Sequence, residues 1–414
     1  MAQQHEISYY LRDLLLSCVF VSILSFQSSY IVQAQQPTSQ ELTTFYRGIH
    51  QFSANFSKIL AKDNKGNLIC SPISVLLTSA LLQYGANGET SQQVEKAFNL
   101  PMMNEPYILK LFFSFIRDLN NAEDVEFNLA NGLFFNNHFK IKELFRKLST
   151  MIFKSEIHNL NFQNEIQSAG FINTWCREKT RGKISYIVKD DDLTYAQSVL
   201  VNAIYFKGVW ESPFFLNRII NFHISNTTSV PTNMMCTSSE FNRHQILNGT
   251  AEYIELPYKT DQPRQAGFSM YIILPVGNNG LDDIIDEIFK IKFVELSSNK
   301  FKTILCMPKF RIESNLELTP ILKQMGISNM FEDNADFSRM TYNNVKISKI
   351  IQKAFISVDE NGSEAAAATA EITLNRGYVR TIHVNKPFIS VIVSKASGTP
   401  LFWARVDNPS FLNN

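Results

Sequence analysis

Val358-Asp-Glu-Asn-Gly-Ser-Glu-Ala-Ala-Ala-Ala-Thr-Ala370 sets an alanine run between a turn signal and a segment of β character. Alanine has the best helix propensity, so a short helix is the simplest expectation. Against it, the run is brief, Asn361-Gly362 precedes it and Ile372-Thr373-Leu374 follows. An isolated helix of that length is marginal in water. Small, uncharged side chains without proline suit another use. Such a segment can slide between two strands of an existing sheet, because nothing bulky blocks entry and every backbone N–H can pair.

Outward from this stretch the chain reads as a mixture of strands and helices. Residues 388–394 and 401–406 flank Ser397-Gly398 as a closing hairpin. Upstream, residues 198–206 are nearly continuous in apolar side chains, as expected of a strand covered on both faces, and 268–274 and 303–307 are similar. Residues 42–62 form an amphipathic helix with Phe45, Ile49, Phe52 and Phe56 on one stripe. Ser71 caps a second helix that Pro72 opens, and its body, 73–84, is apolar all round and therefore buried. Further helical segments at 165–180, 280–289 and 318–325 fall between strands without a βαβ rhythm. That pattern is an α+β fold. No repeat, linker or charge block divides the chain after residue 40, which favours one large domain.

The N-terminus speaks to the compartment. Residues 14–26 are apolar except for Ser17, Ser22 and Ser25, follow Arg12, and precede Val32-Gln33-Ala34, a small-residue cleavage pattern. A bilayer span needs about 20 apolar residues, so 1–34 is expected to be a signal peptide rather than an anchor. Sequons at Asn55, Asn226, Asn248 and Asn361 agree with secretion and glycosylation. Beyond the leader, Cys70, Cys176, Cys236 and Cys306 are scattered and lack CxxC spacing, so four buried free thiols are expected. The net charge of +1 offers no pull towards nucleic acid or an anionic membrane. The local run Arg177, Lys179, Arg181 and Lys183 is read as a solvated face.

An enzyme should show a constellation of nucleophile, base or metal ligands. None of the seven histidines forms HExxH, and there is no GxSxG elbow, P-loop or dinucleotide fingerprint. No metal, cofactor or catalytic residue is expected.

Four motifs together resemble one family. Glu360-Asn-Gly-Ser-Glu-Ala-Ala-Ala-Ala-Thr369 is similar to the hinge of the serpin reactive loop. Asn385-Lys-Pro-Phe388 with Leu401-Phe-Trp-Ala-Arg-Val-Asp-Asn-Pro409 resembles the serpin C-terminal signature. Asn67-Leu-Ile-Cys-Ser-Pro-Ile-Ser74 resembles the start of the family's buried helix, and Leu200-Val-Asn-Ala-Ile-Tyr-Phe-Lys-Gly-Val-Trp210 its central strand. The resemblance covers nearly all of 42–410 and implies three sheets, about eight or nine helices, and an exposed reactive-centre loop over about 360–382.

It also implies where the loop is attacked. Gly362 plus 14 positions, and Phe388 minus 12, both give Arg376, so Arg376–Gly377 is the expected scissile bond and Arg380 the alternative. Arginine there implies a trypsin-like partner, whose pocket carboxylate would take the guanidinium bidentately. The hinge residues are Glu360, Gly362, Ser363, Glu364, Ala365, Ala366, Ala367, Ala368 and Thr369. With a period of two, Ser363, Ala365, Ala367 and Thr369 would face inward on insertion, and so would Glu371, where related inhibitors usually carry an apolar residue. The polar cluster where the family's sheet opens maps to Ser71, Ser74, Asn202 and Gln352, with glutamine in place of a common histidine. Trp210 is expected to pack under the top of that sheet. Residues 106–120, where a heparin-binding helix would lie, hold only Lys110 and Arg117 as basic residues, which disfavours a heparin mechanism. A secreted, monomeric inhibitor is thus the expectation. The alternative is a non-inhibitory serpin, a carrier or a mere cleavable substrate.

Overall fold

A computed structural model describes residues 38–99, 105–120, 125–260, 267–360 and 379–409. They contain eight α-helices: α1 (Ser39–Asp63), α2 (Pro72–Gly85), α3 (Gly88–Phe98), α4 (Glu105–Asn120), α5 (Glu143–Met151), α6 (Glu165–Lys179), α7 (Leu281–Ile288) and α8 (Thr319–Gln324).

The main sheet has five strands, β10 (Phe310–Glu317), β11 (Lys349–Val358), β4 (Ser198–Gly208), β2 (Val125–Asn136) and β3 (Ser155–Leu160), in that spatial order. At its centre β11 and β4 run parallel; β10 and β2 lie antiparallel on either side of them. The other nine strands form a network that turns a corner. One part holds β1 (Leu68–Cys70), β14 (Pro400–Val406), β13 (Phe388–Ser394), β8 (Phe268–Pro275) and β7 (Ala251–Pro257). The other holds β5 (Leu216–His223), β9 (Lys300–Pro308) and β12 (Arg380–His383). The long β6 (Ser229–Ile246) serves both, pairing with β7 near its end and with β5 and β9 before it. Counted by face, this makes three sheets.

Local chemistry explains the elements around the centre. Ser71 accepts from the Ser74 N–H at 3.4 Å and Pro72 opens α2, whose residues are almost all buried. Strand β4 is buried along both faces. Leu200, Ile204 and Phe206 enter the larger core, which also holds α2; Val199, Val201, Ala203 and Tyr205 enter a smaller one beneath α6. There Trp175 meets Phe134 edge-on at 5.3 Å. Gly208 ends the strand where the Tyr258 ring leaves no room for a Cβ.

One expectation fails. Cys236 and Cys306 are not free thiols but a disulfide, with Cα atoms 4.1 Å apart. They face each other directly across the β6–β9 ladder, and this register over 70 residues of sequence cannot be read from spacing. Cys70 and Cys176 are buried thiols, and burial pushes the Cys176 pKa up to about 12. In the chain-entropy view a bond closing so long a loop contributes roughly 4 kcal/mol. Replacing both cysteines by alanine should therefore lower the urea midpoint clearly, whereas Cys176→Ser, which leaves the bond intact, should shift it less.

Candidate functional site

Between α2 and the paired β4 and β11 lies a buried hydrogen-bond cluster. Gln352 on β11 is fully buried and sits in register with Asn202 on β4. Its Oε1 accepts from the Ser71 N–H at 3.0 Å. Its Nε2 lies 3.0 Å from Ser71 O, Ser74 Oγ and Asn202 Oδ1. Ser74 Oγ also donates to Asn202 Oδ1, Asn202 Nδ2 to Asn131 Oδ1 on β2, and Ser71 Oγ to Leu401 O at 2.7 Å. One carboxamide thus ties β11 to both the helix and its neighbour strand. Every side chain named in this cluster is uncharged at ordinary pH.

This chemistry yields a prediction. A Gln352→His variant would fit while neutral, but an imidazolium has no acceptor for the Ser71 N–H and buries a charge. Burial lowers a histidine's pKa below its unfolded value of about 6.5. Its contribution to stability is then complete above that value and is lost as pH falls. The Gln352→His protein should melt progressively earlier than wild type from pH 7 to pH 5, and equal slopes for the two proteins would refute the reading.

The ladder between β4 and β11 ends at Tyr205 and Phe355, although both strands continue, to Gly208 and Val358. Their parted ends are held from outside. Trp210, buried, stacks on Tyr258 with ring centroids 4.6 Å apart, and its Nε1–H donates to Asp359 O at 3.0 Å. The Phe214 N–H donates to Glu360 O at 3.0 Å. Glu360 itself pairs with Lys309 and accepts from Asn217 Nδ2 at 3.1 Å. Burial alone would raise the Glu360 pKa, but Lys309, its own backbone N–H and Asn217 outweigh it and hold the carboxyl below its ordinary range. The chain is therefore clamped at Glu360, five residues beyond the last pair of the β4–β11 ladder.

Gly362, Ser363, Glu364, Ala365, Ala366, Ala367, Ala368, Thr369, Glu371, Arg376 and Gly377, with Asn361, lie outside the described residues. So do residues 1–34. Asn226 is exposed between β5 and β6, Asn248 is exposed in a one-turn segment, and Asn55 is exposed on α1 while Ser57 of its sequon is buried. In the basic run, Lys179 pairs with Glu156, Arg181 with Glu126, and Lys183 lies over the Tyr205 ring. Among the described residues no group of three or more His, Cys, Asp or Glu side chains is placed to hold a metal, and no helix is long and apolar enough to cross a membrane. Sequence reasoning missed Lys309, Asn217, Phe214 and Tyr258, each remote in sequence from Glu360 and without a motif of its own.

Comparison with known proteins agrees with this arrangement. The family model described as serpin (serine protease inhibitor) matches residues 47–409. The chain is similar to an antitrypsin of Bombyx mori, 32% identical over 355 residues that cover 82% of this chain and 88% of the relative. It is similar to an antichymotrypsin-2 of the same species at 31% identity, covering 86% and 96%. Among solved structures it resembles Serpin48, described as a highly specific serpin in the insect Tenebrio molitor. That match has a TM-score of 0.80 and 29% identity, and covers 90% of this chain and 100% of that one.

Proposed function

Since the chain belongs to the serpin family, a family of protease inhibitors rather than catalysts, we propose that it is a secreted, monomeric suicide-substrate inhibitor of trypsin-like serine proteases, with Arg376–Gly377 as the bond it offers. One observation carries the reading: β4 and β11 part at the end from which the chain runs through Glu360 into the alanine run and Arg376. The two relatives above have names that point to different proteases at nearly equal identity, so overall likeness does not set specificity. The choice of trypsin-like targets rests on Arg376.

The protease supplies the nucleophile. Its serine attacks the Arg376 carbonyl, an ester forms between the two, and the peptide bond breaks with Gly377 leaving as a new amine. The freed segment after Glu360 then folds back. Because β4 and β11 run parallel, a strand returning from β11 is antiparallel to both and can pair along both edges. Two antiparallel ladders replace one parallel one, which is the slightly weaker kind. Release of stored strain by loop insertion drags the bound protease and distorts its active site. The Cys236–Cys306 bond supports passage through an oxidising compartment, since such bonds are rare in reducing ones.

Incubation with trypsin tests this directly. An SDS-resistant complex and a released fragment beginning at Gly377 are expected. Cleavage after Arg376 without a complex would instead favour a substrate or carrier.

A further inference from the structure

At the start of β12, Arg380 aligns with Thr303 of β9. On the same face, Arg243 of β6 donates from Nε to Thr303 Oγ1 at 2.9 Å and lays its guanidinium 4.9 Å from the centroid of the Phe301 ring, which is 41% exposed. Arg380 pairs at 2.8 Å with Glu252 of β7. Burial and then the Arg380 charge hold the Arg243 pKa below its ordinary value. Arg243 has no ion-pair partner of its own among the described residues, so two guanidinium groups share one carboxylate. Like charges left unbalanced oppose folding and leave a positive potential for an anionic partner.

The position of the cluster identifies that partner. Arg380 follows Arg376 by four residues, so a chain between them spans at most about 14 Å. A protease interface covers about 800 Å² on each partner, a patch roughly 16 Å in radius. An enzyme that holds Arg376 therefore reaches Arg380 and the residues beside it. We propose that Arg243 and Arg380 form a second contact for the docked protease, selecting trypsin-like enzymes with carboxylates on the side of the cleft that takes the residues after the scissile bond. This rests on the reading of Arg376–Gly377 given above.

The test uses two trypsins of opposite net charge and the full-length inhibitor. Association rates should favour the anionic trypsin and fall steeply with added salt. In the Arg243→Gln/Arg380→Gln double variant the rate with anionic trypsin should drop about tenfold at low salt and its salt slope should flatten, because steering of this kind is worth 10–10³ in rate. The rate with cationic trypsin should hold or rise. Glu252→Gln, which removes the one balancing carboxylate, should move the anionic rate the opposite way, so the idea does not depend on the double variant folding. Unchanged rates and slopes in both variants, with cleavage still after Arg376, overturn this contact and leave the inhibitor reading intact. Loss of heparin retention with protease rates unmoved also overturns it, assigning the cluster to a polyanion. Cleavage elsewhere than Arg376 by both trypsins overturns the parent reading and this one together.

Discussion

Arg376→Ala is expected to slow association with trypsin by roughly thirtyfold to several thousandfold while leaving the thermal melt of the free inhibitor where it was. The magnitude follows from removing one partner of a buried charge pair, which costs about 2–5 kcal/mol at an interface, with 1.4 kcal/mol for each tenfold. The pocket carboxylate of the enzyme would be left desolvated and unpaired, and alanine supplies no donor. Arg376→Lys should fall between the two, since an ammonium is a point charge without the planar fork. Stopped-flow rates for the three proteins, with the cleaved fragment sequenced in each case, check the order. If Arg376→Ala reacts as fast as wild type and is cut after Arg380, the scissile bond has been misplaced by four residues.

The contrast between what was legible in the chain and what was not has a physical basis. Helix α2 could be read closely because its start is encoded locally, in a serine cap and a proline at the first turn, and its burial in an unbroken apolar surface. Strand β4 and the β13–β14 hairpin were likewise visible as apolar runs with turn residues beside them. Strand β6 was not. Its eighteen residues, Ser229 to Ile246, include Pro231, Asn233, Ser238, Ser239 and Glu240, and they form a strand because β5, β7 and β9 pair along it. Propensity is weak where pairing decides. The disulfide failed for the same reason, since it depends on the β6–β9 register. At the candidate site, the family resemblance located Ser71, Ser74, Asn202 and Gln352, but only the fold shows Gln352 bonded to a helix cap and a neighbouring strand at once. The clamp on Glu360 by Lys309 and Asn217 is likewise made of residues far apart in sequence.

Glu371 is expected to limit how well the trap closes. If residues 359–362 form a four-residue turn, the returning strand sets Ser363 beside Val358, Ala365 beside Ile356, Ala367 beside Ala354 and Thr369 beside Gln352. Thr369 would then slip between Gln352 and Asn202, where a hydroxyl can take over the hydrogen bonds that insertion breaks. Glu371 would follow between Ile350 and Leu200, both fully buried and apolar. A carboxylate cannot remain charged there without a partner and would have to bind a proton. From an ordinary pKa of about 4.3, that costs roughly 4 kcal/mol at pH 7.5 and about 1.4 kcal/mol less for each pH unit below it. The group's pKa is raised in the inserted state, so insertion is favoured as pH falls. With deacylation competing, Glu371→Val should lower the number of inhibitor molecules consumed per protease trapped towards one. The wild-type number should approach that of the variant as pH drops from 8 to 6. Ala367→Arg, which puts a charge on the same face earlier, should convert the protein into a substrate cut after Arg376 without a lasting complex. Equal stoichiometry for wild type and Glu371→Val at every pH would mean that the protease is already trapped before residue 371 enters the sheet.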